Sequence, residues 1–207
     1  MKDNQRTRPF RAIEPIFKSV SDGITGNVPG TAVYIGDRTP VEATLSLIRY
    51  CADQVSFITP ESPEELLAVQ EEGMVTWINV DGLADQELVK RLCGYFQLES
   101  LTAEDILNTE HRPKAEDFGK YLLLITKMIT RRSDSSIEYE QVSIVITKSV
   151  VLTFQETPGD CFDPVRERLR TGTGRLRKLG PSYLAYALLD VITDNYFSVL
   201  EWLGDLL

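Results

Sequence analysis

Four acidic side chains recur on one face of the C-terminal segment, where they could bind a metal ion or a basic partner. Asp190, Asp194, Glu201 and Asp205 follow helical spacing and fall within roughly a 60° sector of a helix. Like charges four residues apart on a helix repel by roughly a few tenths of a kcal/mol per pair. The spacing alone leaves two readings open: a solvated face that tolerates this cost, or a site for a cation or a basic partner.

The segment that carries these acids has the pattern of one long helix. Residues 182–207 contain no proline and one glycine, and an apolar stripe runs opposite the acids at the i, i+4, i+7 spacing. The stripe comprises Leu188, Ile192, Val199, Leu203 and Leu206. The last residues, WLGDLL, contain no Gly-then-Pro stop signal. We therefore expect the chain to end inside a helix that was meant to continue.

A second pair of acids, Glu104 and Asp105, lies within LTAEDILN at residues 101–108. Thr102 as an N-cap followed by acids is ordinary chemistry for the start of a helix. Adjacent helical residues point about 100° apart and are not a natural chelating pair. The spacing alone therefore favours a helix start over metal binding.

Nucleophilic and zinc-dependent enzymes find little support in the motifs. His111 is the only histidine, so a His-rich catalytic zinc site is excluded, and we expect a surface or capping residue there. The chain has no Gly-x-Ser-x-Gly element. The run 171–174 (TGTG) lacks the phosphate-binding pattern and reads as a flexible connector. We therefore predict that the chain is not an enzyme.

The composition indicates which kinds of partner and which redox compartment fit this chain. A net charge of -9 argues against nucleic acid, since phosphate binding needs a basic face. The three cysteines are far apart with no Cys-x-x-Cys pair, which fits a reducing compartment. No apolar run of 18 residues occurs, so nothing in the sequence spans a membrane by itself. Residues 1–27 read as a disordered basic tail without a secretory signal.

Local patterns predict strands mixed with helices. Strands are predicted at 31–35, 75–80, 121–129, 139–147 and 150–154, with the run 121–129 central and buried on both faces and the last two forming a hairpin. Helices are predicted to begin at Ser62, Asp85, Thr102 and Asp163. Residues 41–57 are ambiguous, although 45–50 suits a strand. These elements indicate an α/β fold with a mixed, partly antiparallel sheet.

Taken in order, several motifs resemble the CorA family of magnesium transporters, and specifically its cytoplasmic domain. The matching segments are 77–82 (WINVDG), 101–108 (LTAEDILN), 112–114 (RPK), 140–143 (EQVS), 154–156 (FQE), 162–168 (FDPVRER), 183–184 (YL) and 189–197 (LDVITDNYF). The match covers roughly residue 75 to the end and, more weakly, 31–34. Any one of these motifs is weak, but their order makes the resemblance specific.

The resemblance implies a homopentamer on the cytoplasmic side of the cell inner or plasma membrane. Residues 28–181 would form an α/β/α sandwich, and 182–207 would begin a helical stalk region. The long stalk and two membrane helices joined by a Gly-Met-Asn loop would follow beyond Leu207. Contact with the membrane would therefore occur only through that missing segment.

The resemblance also implies regulatory sites for Mg²⁺, which would be the transported ion as well, with cobalt as an alternative. In the family, magnesium sits at the boundary between neighbouring domains and helps to hold the pore closed. Asp105 matches one ligand, whose partner carboxylate would come from the neighbour's stalk. A second site would draw on Glu104 and Asp190. Asp194 is a weaker candidate, with Glu201 and Asp205, because Asn195 replaces a second acid.

Three other readings compete. A zinc or other divalent cation transporter of the same superfamily differs in a pore loop that the sequence does not contain. A free-standing metal-dependent hydrolase using Asp105 and Asp190 predicts phosphoester turnover, without a nucleophile or base to support it. An acidic protein-interaction scaffold predicts no cation effect beyond ionic strength.

Overall fold

The structure, a computed structural model, describes residues 32–60, 62, 65–66, 72–131 and 136–205. One sheet of seven strands lies at the centre of this part of the chain. The strands are β1 (Thr44–Tyr50), β2 (Val55–Ile58), β3 (Val75–Asp81), β4 (Lys114–Asp117), β5 (Leu122–Arg131), β6 (Ile137–Ile146) and β7 (Val150–Gln155). Their order is β2-β1-β3-β7-β6-β5-β4. Strands β3 and β7 pair in parallel, and the other neighbouring pairs are antiparallel. The predicted mixed sheet is confirmed.

Helices cover both faces of this sheet. They are α1 (Gln86–Tyr95), α2 (Ser100–Leu107), α3 (Asp163–Thr171) and α4 (Pro181–Asp205), with a 3₁₀ turn at Leu176–Lys178. Successive strand residues point to opposite faces, so Ile78 joins the core beneath α1 and α2, while Trp77 joins the core beneath α3 and α4. The result is the expected α/β/α sandwich with a long C-terminal helix.

Local signals explain where the elements start and stop. Asp85 caps α1, its Oδ1 accepting from the Leu88 amide at 2.9 Å, and the helix begins at the next residue, close to its predicted start. Gly82 ends β3 with a φ of 100°, and a Cβ there would lie 2.5 Å from the Glu42 carbonyl oxygen. Only glycine fits both this conformation and this close approach.

Several predicted strands are confirmed, and two expectations need correction. Strand β1 settles the ambiguous stretch, and β6 and β7 form the predicted hairpin, closed by a 2.8 Å bond from the Thr147 amide to the Val150 carbonyl. Most of the run at 121–129 forms β5, which is second from the sheet edge and not central. Its burial is also less complete than predicted, because Leu123, Ile125 and Met128 are buried while the residues between them are half-buried. At the predicted strand 31–35, the described residues 32–35 form only a single bridge, between Ile35 and Asn108. An apolar run does not fix the position of a strand in the sheet, because helices can cover a strand near the edge.

Two expectations concern helix starts. Thr102 does not cap α2. The helix begins at Ser100, and the Thr102 hydroxyl is buried 2.6 Å from the Tyr121 hydroxyl. For the helix predicted at Ser62, Glu65 and Leu66 are helical, and the rest lies outside the described residues. The predicted tail at 1–27 also lies outside them.

Candidate functional site

Asp105 lies on the partly exposed side of α2, and the opposite side anchors the helix. Thr102, Ala103, Ile106 and Leu107 are buried, whereas the Asp105 side chain keeps 14% of its surface exposed. A side chain in this position can be reached from outside, and its backbone is fixed by the core.

Two basic side chains engage the Asp105 carboxylate, one at each oxygen. His111 Nε2 lies 3.0 Å from Oδ1, and Lys114 Nζ donates to Oδ2 at 2.8 Å. Lys114 also donates to Glu116 Oε1 at 3.2 Å. We call these four residues the Asp105 cluster. His111 has 30% of its side chain exposed, which fits the predicted surface residue, and it is also paired with an acid.

The Asp105 cluster favours the charged form of its acid. Burial by itself would raise the pKa of Asp105, but hydrogen bonds from His111 and Lys114 outweigh burial and hold the pKa below its ordinary value. Burial likewise opposes the charge on Lys114, yet its bonds to Asp105 and Glu116 raise the pKa of the amine. Asp105 is therefore an ionised carboxylate throughout the neutral range.

Buried hydrogen bonds hold the C-terminal end of α2 in place. Gln141 Nε2, on β6, donates to the backbone oxygens of Asp105 and Asn108, each at 3.1 Å. The Ile35 amide donates to the Leu107 carbonyl at 2.9 Å. Gln141 belongs to the EQVS segment that the sequence singled out, and its role here is to position the helix that carries Asp105.

The other predicted ligands divide between two helices. Glu104 is next to Asp105 on α2 and is half-buried, while Asp190 and Asp194 are exposed on α4. Helices α2 and α4 pack on opposite faces of the sheet. The fold therefore places the two pairs of acids in different layers of one chain.

The predicted stripe on α4 is present. Asp190, Asp194, Glu201 and Asp205 are all exposed, while Leu188, Ile192 and Val199 are buried. Leu203 departs from the prediction, with 37% of its surface exposed, and Leu206 lies outside the described residues. The acids thus form a solvated face along the described helix.

The described ranges lack two features. No three or more histidine, cysteine, aspartate or glutamate side chains there are grouped so that they could hold a metal ion. None of the helices in those ranges combines the length and apolar character needed to cross a membrane.

The sequence did not reveal a second polar cluster at the carboxyl ends of β3 and β7. We call it the Asp81 cluster: Asn79, Asp81, Gln155, Asp160 and Arg166. Asp81 and Gln155 are paired in register, so their side chains lie on the same face. Asn79 Nδ2 donates to Asp81 Oδ2 at 3.0 Å, and Gln155 Nε2 donates to Asp160 Oδ2 at 3.1 Å. Arg166 clamps both oxygens of Asp160 at 2.6 and 2.5 Å.

Burial makes the chemistry of this cluster unlike that around Asp105. Asp160 has only 4% of its side chain exposed, and Arg166 lies over the ring of Trp77 at 5.2 Å. Asp81 Oδ1 and Gln155 Oε1 are buried and accept no hydrogen bond from any described side chain or backbone group. Burial, followed by the negative charge of Asp160, raises the pKa of Asp81 to about 6.

The sequence carries a weak signal for one of these clusters and none for the other. Lys114 follows Asp105 by nine positions, and Pro113 between them favours a helix end, but this spacing does not by itself bring the two charges into contact. Asp81 and Asp160 are far apart along the chain and meet only because β3 and β7 are neighbours in the sheet.

Solved structures that share this fold include single domains of CorA and of ZntB. The soluble domain of CorA from Methanocaldococcus jannaschii matches with a TM-score of 0.54 and 19% identity, covering 77% of this chain and 60% of that one. The ZntB cytoplasmic domain from Vibrio parahaemolyticus matches with a TM-score of 0.58 and 13% identity, covering 78% and 63%. At these identities the likeness establishes the fold alone.

Comparison of the sequence establishes the family as well as the fold. The family described as CorA-like Mg²⁺ transporter protein matches residues 72–207, and the chain belongs to that family. A cobalt/magnesium transport protein CorA from Thermotoga maritima is 38% identical over 181 residues, which are 87% of this chain. The aligned region is 51% of that relative, so the chain spans about half of its length.

Proposed function

We propose that this chain is the regulatory cytoplasmic domain of a CorA-type magnesium transporter, with cobalt as an alternative ion. Mg²⁺ is then both the transported ion and a regulatory ion bound at the boundaries of a homopentamer. The domain lies on the cytoplasmic side of the cell inner or plasma membrane and joins it through a segment beyond Leu207. Family membership over residues 72–207 supports this assignment.

The accessibility and fixed position of Asp105 carry the proposal. A ligand shared between subunits must be reachable from a neighbour and must also be held rigidly. The Asp105 side chain is 14% exposed, and Gln141 bonds the backbone beneath it at 3.1 Å. Both requirements are met at one residue.

The donor chemistry fits a hard cation. Mg²⁺ takes oxygen ligands in octahedral geometry and keeps most of its waters, so one or two carboxylates per site suffice. Asp105 offers an ionised carboxylate, and the neighbour would supply its partner. Glu104 and Asp190 form the proposed second site, with Asp194 as a weaker participant. Because α2 and α4 lie in different layers, each protomer presents acids from both faces of its sheet.

Charge repulsion links ion binding to gating. Acids brought together at a subunit boundary repel one another, and a bound dication removes that repulsion. The ion therefore favours the closed assembly, in which the site is complete, over the open one. When magnesium falls, the boundary loosens and the pore opens.

The test is a magnesium titration of the longer protein that includes the downstream stalk. We expect millimolar Mg²⁺ to raise the melting temperature and slow amide exchange at residues 100–116, whereas sodium chloride of matched ionic strength does neither. Asp105→Asn should diminish both responses, because it removes the ionised ligand. Co²⁺ and Zn²⁺ arms compare the alternative ions.

Glu87→Gln provides the matched control, because it removes one exposed carboxylate from α1 while leaving the Asp105 cluster intact. It should respond to Mg²⁺ as the wild type does. An equal response to sodium chloride would favour an acidic interaction scaffold. A magnesium response that survives Asp105→Asn unchanged would remove Asp105 from the site.

A further inference from the structure

We propose that Lys114 is a tethered competitor of Mg²⁺ at Asp105, and that this competition sets the affinity of the regulatory site. The inference rests on the proposed function and deepens it. It assigns a role to a residue on β4, outside the set of carboxylate ligands.

The position of Lys114 is set by the fold. The residue opens β4 and pairs in register with Ile125 of β5, so its backbone is fixed by the sheet. Its amine bridges Asp105 at 2.8 Å and Glu116 at 3.2 Å, and 27% of the side chain is exposed. A lysine with two acidic partners and a fixed backbone is held at Asp105 more firmly than the lysine of an isolated surface ion pair would be.

The charges explain why this arrangement opposes a dication. Lys114 places one positive charge directly on Oδ2 of Asp105, the oxygen that His111 does not contact. An ion approaching that carboxylate must displace the amine or share the carboxylate with a like charge. A group tethered by the chain competes at a high effective concentration. Removing its charge should therefore tighten ion binding.

The same contact gives the ion-free state a defined structure. When Mg²⁺ leaves, Lys114 offsets part of the negative charge at Asp105, so the repulsion between acids across the boundary is reduced but not abolished. Binding of Mg²⁺ then exchanges the tethered amine of Lys114 for a dication at Asp105. The site is therefore occupied only when the Mg²⁺ concentration is high enough to displace the amine. Glu116 offers the displaced amine an alternative partner at the distance already observed.

The experiment measures Mg²⁺ affinity by calorimetry in the longer protein that includes the stalk, for the wild type and four variants. Lys114→Gln should tighten binding by about three- to tenfold, since each tenfold corresponds to about 1.4 kcal/mol. Lys114→Arg keeps the charge and should stay within about twofold of the wild type. Lys120→Gln removes an exposed lysine from the loop between β4 and β5 and should also stay within about twofold. Asp105→Asn reports whether binding depends on the proposed site.

The outcomes separate the two proposals. If Asp105→Asn weakens binding but Lys114→Gln leaves it unchanged or weaker, Lys114 is a structural partner and the competitor role is wrong. If the wild type and Asp105→Asn bind alike, the proposed regulatory site itself is wrong and the inference fails with it. Equal tightening by Lys120→Gln would attribute the effect to net charge and also overturn the role of Lys114. Far-UV circular dichroism of the ion-free variants checks that each one is folded.

Discussion

Asp105 and Asp81 each have basic or amide partners, but their environments move their pKa values in opposite directions. Around Asp105, direct bonds from His111 and Lys114 outweigh partial burial and lower the pKa. Around Asp81, burial dominates, Asp160 adds a like charge, and the pKa rises to about 6. The difference teaches that an acid bonded by cationic partners is suited to exchanging ions, whereas an acid with a buried oxygen that accepts no hydrogen bond from the described residues is suited to holding a proton.

The largest expected effect is in the Asp81 cluster, at the ion pair between Asp160 and Arg166. Asp160→Asn leaves Arg166 without its buried counter-ion, and breaking one half of a buried pair is strongly destabilising. We expect a loss of about 3 kcal/mol in the free energy of unfolding, measured by urea denaturation.

Asp163→Asn is the matched control, because Asp163 bonds the same arginine at 3.0 Å but has 90% of its side chain exposed. Its loss should be about 0.5 kcal/mol or less. Equal losses in the two variants would mean that burial does not distinguish the two partners.

The next effect has the opposite sign. Asp81→Asn removes a negative charge from a carboxylate whose buried Oδ1 accepts no hydrogen bond within the described residues, so we expect a gain of about 2 kcal/mol at pH 8. The pKa of Asp81 in the wild type is raised to about 6. The protonated Asp81 side chain therefore makes its full stabilising contribution below the ordinary aspartate pKa. That contribution is lost as the pH rises through about 6.

Denaturation of both proteins from pH 4 to 8 measures this linkage. The advantage of Asp81→Asn should grow between pH 4 and 7 and then level off. An advantage that stays constant over this range would show that Asp81 does not take up a proton on folding.

A smaller loss is expected at the accessible cluster. Asp105→Asn weakens two charge-assisted hydrogen bonds that are partly screened by solvent, so we expect a cost of about 1 kcal/mol at pH 7 without added magnesium. Because the pKa of Asp105 is lowered, this contribution is present above the ordinary aspartate pKa. It fades as the pH falls through the lowered value. A cost that persists in acid would indicate packing in place of charge.

The smallest expected change in stability is at an exposed ion pair, and it serves as a reference for the other variants. Glu87 and Lys90 form an exposed i,i+3 pair at 2.7 Å on α1, and such pairs contribute about 0.3–0.5 kcal/mol. Glu87→Gln should therefore change the free energy of unfolding by no more than about 0.5 kcal/mol. A larger loss would mean that exposed pairs here rival the Asp105 cluster.

Much of the architecture was predictable from local patterns. Asp85 marked the start of α1, the segment 150–154 completed a hairpin, and the exposed acids of α4 fell opposite the buried Leu188, Ile192 and Val199 as their spacing required. These predictions succeeded because capping, turn chemistry and helical periodicity depend on residues close in sequence. The position of β5 near the sheet edge was missed, since strand order depends on pairings between distant residues.

The sequence by itself determined most of the helices, the hairpin of β6 and β7, the acidic character of the α4 face and, through the order of its motifs, the family. Only the tertiary structure decided which charges meet: Lys114 with Asp105 across a turn, and Asp160 with Arg166 beside Asp81 where two parallel strands end. The physical reason is that a charge's free energy depends on its distance from other charges and from water. Those distances are set by how the sheet and its covering helices pack.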